Sequence, residues 1–181
     1  MEKTTGGVRG LFVPSTVADA VAVPTHPADV TIRRVEEADL GAVVRIENAS
    51  FSQPWPYTAF DRFLDAPGFL VAVRDGTVVG YVVGDVATDF GSPIGHVKDL
   101  AVAPDARRHG AGRSLLVQSL VVLAVEGATL VKLEVRKSNE PALTLYRDVG
   151  FETARHVPRY YRDGEDALVM TLDLTEWWAT A

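Results

Sequence analysis

No cysteine occurs among the 181 residues, which excludes disulfides, thiolate metal sites and an acyl-enzyme carried on sulfur. Lysine is scarce. Four residues (Lys3, Lys98, Lys132, Lys137) stand against fourteen arginines, a ratio read mainly as genome composition. A basic excess is also missing: the formal charge is −6, whereas a general nucleic-acid binder needs a positive face for phosphate backbones. No apolar run is long enough to span a bilayer; the longest, Leu115 to Val125, is interrupted by Gln118 and Ser119. No Lys/Arg-then-apolar pattern opens the sequence. A soluble cytoplasmic protein with no nucleic-acid or membrane partner is therefore expected. The 47% hydrophobic and 23% charged content is ordinary for a globular protein, at a length that suits one domain with a real core.

Residues 1–28 are rich in Thr, Val, Ala, Gly and Pro without a clear period, and read as an N-terminal extension, disordered in part. From Val30 the pattern becomes regular. Val30 to Arg34 alternates as a strand, and Glu36 to Ser50 carries Leu40, Val43, Val44, Ile46 and Glu47 at helical spacing. A proline-broken aromatic loop, Phe51 to Tyr57, leads to a short helix from about Thr58 to Asp65. Phe69 to Arg74 and Thr77 to Asp85 flank Asp75-Gly76, a strong hairpin signal. Strands at Ile94 to Val102 and Thr129 to Arg136, a helix at Asn139 to Asp148, and a closing strand pair at Phe151 to Val157 and Ala167 to Leu172 complete the reading. The order predicts one mixed α/β domain over residues 29–175, with a C-terminal tail at 176–181.

The stretch Arg107-Arg108-His109-Gly110-Ala111-Gly112 joins an apolar strand to an apolar helix that runs from Arg113. A strand turning through glycines into a helix leaves several backbone N–H groups unpaired and converging. Together with the helix dipole and two arginines they make a seat for phosphate. It is neither Gly-x-Gly-x-x-Gly nor a Walker loop. Downstream, Glu134 sits in an apolar strand, Val131 to Val135; burial there is expected to raise its pKa and suit it to act as a base. The alternative is a surface pair with Lys132 or Arg136. Ser138 or Asn139 can cap the next helix, which Pro141 early in that helix supports. Tyr146 lies on an apolar stripe with Ala142, Leu145 and Val149, as a core tyrosine does.

Arg-x-x-Gly-x-Gly, then Leu133-Glu134-Val135-Arg136, Ser138-Asn139, Ala142-Leu143-Thr144-Leu145-Tyr146 and Gly150-Phe151 stand in one order at set distances. Over residues 30 to 173 this combination resembles the GNAT superfamily of acetyl-CoA-dependent N-acetyltransferases. The resemblance implies a single α/β domain whose mixed, mostly antiparallel sheet of six or seven strands has helices on both faces and a splay between the fourth and fifth strands. It also implies that acetyl-CoA is the co-substrate, with no metal. Backbone N–H groups of Arg107, Arg108, His109, Gly110, Ala111 and Gly112, with Arg113 and Ser114 at the helix end, would hold the pyrophosphate. Leu100, Ala101 and Val102 would pair with the pantetheine arm, and Asn139 and Tyr146 would face it.

Within the superfamily the likeness is to protein N-terminal acetyltransferases, of both the ribosomal-protein alanine (RimI-like) and archaeal types. Arg159-Tyr160-Tyr161-Arg162-Asp163-Gly164-Glu165-Asp166-Ala167 is similar to the archaeal members. The resemblance implies that Tyr160 and Tyr161, with Phe51, Pro54, Trp55 and Tyr57 of the aromatic loop, grip a protein or peptide N-terminus, a ribosomal protein being one candidate. Glu134, through a water, would accept the amine proton, His96 would share that task as in some relatives, and Tyr146 would protonate the departing thiolate. The competing readings are acetylation of lysine side chains or of a small amine, and a CoA-binding module without catalysis. Either a monomer or a homodimer suits the sequence.

Overall fold

The computed structural model describes residues 29–89 and 91–180, so the extension expected at 1–28 lies outside the described residues. Seven strands, β1 (Thr31–Arg34), β2 (Leu70–Arg74), β3 (Thr77–Asp89), β4 (Ser92–Val102), β5 (Leu130–Arg136), β6 (Glu152–Val157) and β7 (Ala167–Asp173), form one sheet in the order β1-β2-β3-β4-β5-β7-β6. Five α-helices accompany them among the described residues: α1 (Leu40–Ser50), α2 (Tyr57–Asp61), α3 (Ala111–Val125), α4 (Glu140–Val149) and α5 (Leu174–Thr180). All strand pairs are antiparallel except β4 with β5.

The alternation of β2 and β3 divides the interior in two. Leu70, Ala72, Val79 and Val82 face a core built with α3 and α4, while Val71, Tyr81 and Val83 face a second core under α1 and α2. Both sheet faces are therefore covered, as period-2 patterning with apolar residues on both sides requires. The Asp75-Gly76 turn has positive φ at both residues (50° and 74°), the geometry a two-residue hairpin needs.

Strand β3 runs on to Asp89, β4 starts at Ser92 and α3 at Ala111, a few residues beyond the expected bounds, and three further readings differ from the structure. The helix expected from Glu36 begins as a 3-10 turn (Glu37–Asp39), with α1 starting only at Leu40. There Asp39 takes the Glu36 N–H at 2.8 Å and two Arg33 bonds at 2.7 and 2.9 Å. The helix expected to reach Asp65 stops at Asp61, because the following turns close at i→i+3 through Phe63 N–H to Phe60 and Leu64 N–H to Asp61. The expected tail folds as α5, which crosses the boundary drawn at 175. Leu174 is buried, and the Trp177 indole N–H donates to the Val149 carbonyl at 3.0 Å, docking this last turn on the end of α4.

Candidate active site

β4 and β5 run parallel and paired only from Ile94↔Leu130 to Val97↔Leu133. Beyond that point they part. The cause lies on the other side of β4: its register with β3 shifts between Val83↔Asp99 and Gly84↔Val97, leaving Lys98 as an extra residue. A bulge of this kind bends its strand and re-aims the residues that follow. The divergence opens a cleft of about 1730 Å³, bounded by Lys98 to Val102 of β4 and Glu134 to Arg136 of β5. That is larger than the roughly 300–1,000 Å³ of a site for one small ligand.

At one end of the cleft stands the start of α3. Pro104 to Ala106 form a 3-10 turn, Arg108 and Gly110 take left-handed φ (64° and 84°), and the helix begins at Ala111 with no side-chain cap. Its first-turn N–H groups are thus available at the positive end of a 15-residue helix, an anion seat by construction. Gly110, Ala111, Gly112, Arg108 and Arg113 line the cleft. The Arg107 guanidinium is already engaged, donating to the Val102 carbonyl at 2.9 Å and to Ser50 Oγ at 3.1 Å. It braces the loop, while Arg108 and Arg113 line the cleft beside the backbone N–H groups.

In the middle, Glu134 Oε2 lies 2.6 Å from His96 Nε2, and His96 Nδ1 lies 3.3 Å from Lys98 Nζ. An ammonium can only donate, so Nδ1 accepts and the imidazole proton sits on Nε2, pointing at the carboxylate. The expectation of a raised Glu134 pKa is corrected. Burial does push it upward, but His96 and the ammonium groups of Lys132 and Lys98 outweigh burial, and the carboxyl titrates below its ordinary range. Neither of the pairings considered from sequence, with Lys132 or Arg136, is the contact made; the partner comes from the neighbouring strand.

The other end is roofed by two loops. Trp55 stacks on Phe63 (5.8 Å) and tilts against Phe60 (5.6 Å). Across from it, Tyr160 and Tyr161 pack edge to face at 5.1 Å, and the Arg136 guanidinium covers the Tyr161 ring at 4.0 Å. The acidic run after the tyrosines fastens this loop. Asp163 and Glu165 accept from Arg136 at 2.8 and 2.7 Å, and Glu165 also takes the Ser138 N–H and hydroxyl at 3.0 and 2.6 Å. The two loops meet where Gln53 donates to Asp163 at 3.3 Å.

The sequence pattern of the Acetyltransferase (GNAT) family matches residues 40–151, more than half the chain. The chain belongs to this family. It is 35% identical over 154 residues to an N-alpha-acetyltransferase of Sulfurisphaera tokodaii, covering 79% of this chain and 92% of that protein. It is 32% identical to the [ribosomal protein bS18]-alanine N-acetyltransferase of Escherichia coli, over 80% of this chain and 98% of that one. In three dimensions it resembles the crystal structure of Ard1 from Thermoplasma volcanium with a TM-score of 0.75 and 27% identity, covering 80% of this chain and 97% of that chain.

As a GNAT acetyltransferase the protein has the expected sheet, the helices on both faces and the splay between β4 and β5. Of the residues expected at the site, Glu134, Tyr146, Asn139, Leu100 to Val102, Phe51, Pro54, Trp55, Tyr160 and Tyr161 line the cleft, whereas His109, Ser114, Tyr57 and His96 are not part of its wall. His96 acts on the cleft through Glu134. Asn139 is the cap of α4, accepting the Ala142 N–H at 3.3 Å, so capping and lining are both true of it. Tyr146 is likewise both a core residue and part of the cleft lining. It is 8% exposed, its ring meets Phe151 at 5.9 Å, and burial pushes its hydroxyl well above the ordinary phenol range. Sequence reasoning missed Asp99 and Glu47, which also line the cleft. The one available signal was Glu47, an acid placed on the apolar stripe of α1.

Proposed function

We propose that this GNAT acetyltransferase transfers the acetyl group of acetyl-CoA to the N-terminal α-amine of a protein. The observation that carries the reading is the two-ended cleft. A helix N-terminus suited to pyrophosphate closes one end, two fastened aromatic loops roof the other, and an ionised carboxylate lies between them. The splayed edges of β4 and β5 suit the amide-bearing pantetheine arm, which can pair like an added strand. Aromatic walls suit an extended chain end. The relatives named for N-alpha and ribosomal-protein alanine acetylation support the same acceptor class.

The chemistry follows from proton affinities. An α-amine has a pKa of about 7.7–8.0 and a lysine amine about 10.4, so near neutral pH a usable fraction of the former is already neutral. The amine nitrogen forms a bond to the thioester carbonyl carbon while its surplus proton passes to Glu134, through a water. As the tetrahedral centre collapses, the carbon–sulfur bond breaks and the thiolate leaves with the electron pair. Tyr146 hydrogen-bonds that sulfur and supplies its proton, and the proton taken up by Glu134 returns through water to restore the phenol. His96, with both ring nitrogens engaged, holds Glu134 in place and ionised and is not a second base.

The reading is tested by incubating the protein with acetyl-CoA and peptides beginning Ala, Ser, Thr, Met-Leu and Met-Glu, alongside a lysine peptide with a blocked terminus. Mass spectrometry should locate acetyl groups on free N-termini. Acetylation confined to the lysine peptide would overturn the assignment.

A further inference from the structure

A second ionisable cluster stands in the cleft wall, and the reaction above leaves it unused. Glu47 is buried to 1% exposure on α1. Its Oε1 accepts the backbone N–H of Trp55 at 2.7 Å, and its Oε2 accepts the Tyr81 hydroxyl. Tyr81, wholly buried on β3, has its oxygen 3.1 Å from Asp99 Oδ2 on β4, while Asp99 Oδ1 takes the Leu100 N–H at 2.8 Å. Helix α1, the aromatic loop, β3 and the bulged part of β4 are thereby tied at one point. Burying a carboxylate is costly unless every lone pair facing inward is met by a donor, and here the donor on one side is the aromatic loop's own backbone.

Counting protons sharpens this. The Tyr81 oxygen has a carboxylate oxygen on each side, and a phenol carries a single proton. Both contacts can be hydrogen bonds only when a carboxyl supplies a second proton. Each carboxyl also takes one backbone N–H, Glu47 from Trp55 and Asp99 from Leu100, and the extra proton is assigned to Asp99, which then donates to Tyr81, which donates to Glu47. Burial and the facing Glu47 charge push the Asp99 carboxyl up to about 8. The groups around it are Glu47 from α1, Tyr81 from β3 and, acting through charge alone, Tyr146 from α4. None of the three is a cation, and Lys98, its neighbour on β4, reaches instead to His96.

We propose that Glu47 is the positioning residue of the acceptor loop, clamping Trp55 to β3 and β4 through Tyr81, and that the clamp holds only while Asp99 keeps its proton. This rests on the reading of the Phe51–Tyr57 loop as part of the acceptor site. When Asp99 ionises, two carboxylates face one hydroxyl, one contact turns repulsive and the loop loosens. The acceptor KM then rises on the alkaline side, by about tenfold, the scale of one lost hydrogen bond, while the KM for acetyl-CoA stays level.

Two measurements on the full chain test it. Amide hydrogen exchange of Trp55, corrected for intrinsic rates and followed by NMR from pH 6.5 to 9.5 without substrates, reads the clamp directly. Wild-type protection should hold at pH 6.5 and fall as the pH rises through about 8. Asp99→Asn, which retains a donor toward Tyr81, should keep Trp55 protected across the range. Glu47→Gln, whose amide oxygen still accepts the Trp55 N–H, should do the same, and Glu47→Ala should lose protection at every pH. The KM of an acetylated peptide, measured over the same range, should rise in alkali for wild type and stay flat for Asp99→Asn. Persistence of the alkaline loss of protection in Asp99→Asn, or full protection in Glu47→Ala, overturns the clamp. If exchange behaves as described while peptide KM ignores it, the clamp is upheld and the acceptor role of the loop is what fails.

Discussion

Replacing Glu134 by Gln isolates the proton step. The amide keeps the volume of the side chain and can still accept the hydrogen bond from His96 Nε2, made at 2.6 Å in the wild type, but it cannot take a proton. General-base assistance is worth roughly 10² to 10⁴ in rate, and follows the basicity of the group. Because His96, Lys132 and Lys98 hold Glu134 below its usual range, the lower end applies: a loss of about a hundredfold in kcat, or ~2.7 kcal/mol of barrier. The pH profile is equally diagnostic. A carboxyl with a depressed pKa is ionised throughout pH 6 to 9, so Glu134 contributes no limb there. The acid limb of kcat/KM should instead follow the free α-amine, with a midpoint of about 7.7–8.0, read in the Asp99→Asn background so that the alkaline rise in peptide KM does not overlap it. Steady-state kinetics with a peptide free at its N-terminus should show the same midpoint for both proteins, displaced downward for Glu134→Gln. An unchanged rate across this range, or a midpoint that moves with the substitution, refutes Glu134 as the base.

Tyr146→Phe removes the hydroxyl and leaves the ring packed on Phe151. Since burial makes this phenol a reluctant acid while the thiolate leaving group has a pKa of about 8.5, kcat should fall by about ten- to a hundredfold with peptide KM little changed; a pure rise in KM would remove Tyr146 from the chemistry. Replacing Tyr160 and Tyr161 together by Ala should raise peptide KM about tenfold or more and leave acetyl-CoA affinity, read by calorimetry, unaltered. Gly84→Ala tests the packing beneath the bulge. A Cβ there would sit 2.5 Å from Ser119 Oγ and 3.2 Å from the Gly68 carbonyl, so unfolding in urea should report a loss of about 1–3 kcal/mol.

Much of the site was legible before any coordinates. The glycine loop between an apolar strand and an apolar helix specifies an uncapped helix N-terminus locally, because N–H direction and helix polarity follow from backbone geometry alone. Local too are the hairpin at Asp75-Gly76, the cap at Asn139 and the alternation that buries both faces of β2 and β3. The acidic residues after Tyr160-Tyr161 were visible as a pattern, but their work was not. Asp163 and Glu165 matter because Arg136 and Ser138, more than twenty positions away in sequence, come within hydrogen-bond reach.

What the sequence determined by itself were the elements, their order, the glycine turn into α3 and the family. The tertiary structure decided the charge states and the partners. Half-burial of Glu134 argued for a raised pKa, yet the packing of β4 beside β5 brings His96 and the Lys98 ammonium to it, adding to Lys132 of its own strand, and reverses the sign. The joining of Glu47, Tyr81 and Asp99 was likewise beyond reach, since they lie on three different elements and 34 and 18 positions separate the contacting pairs. Secondary structure follows from interactions a few residues apart, which a sequence displays. Protonation follows from desolvation and charges across strands, which exist only once the sheet has formed and splayed.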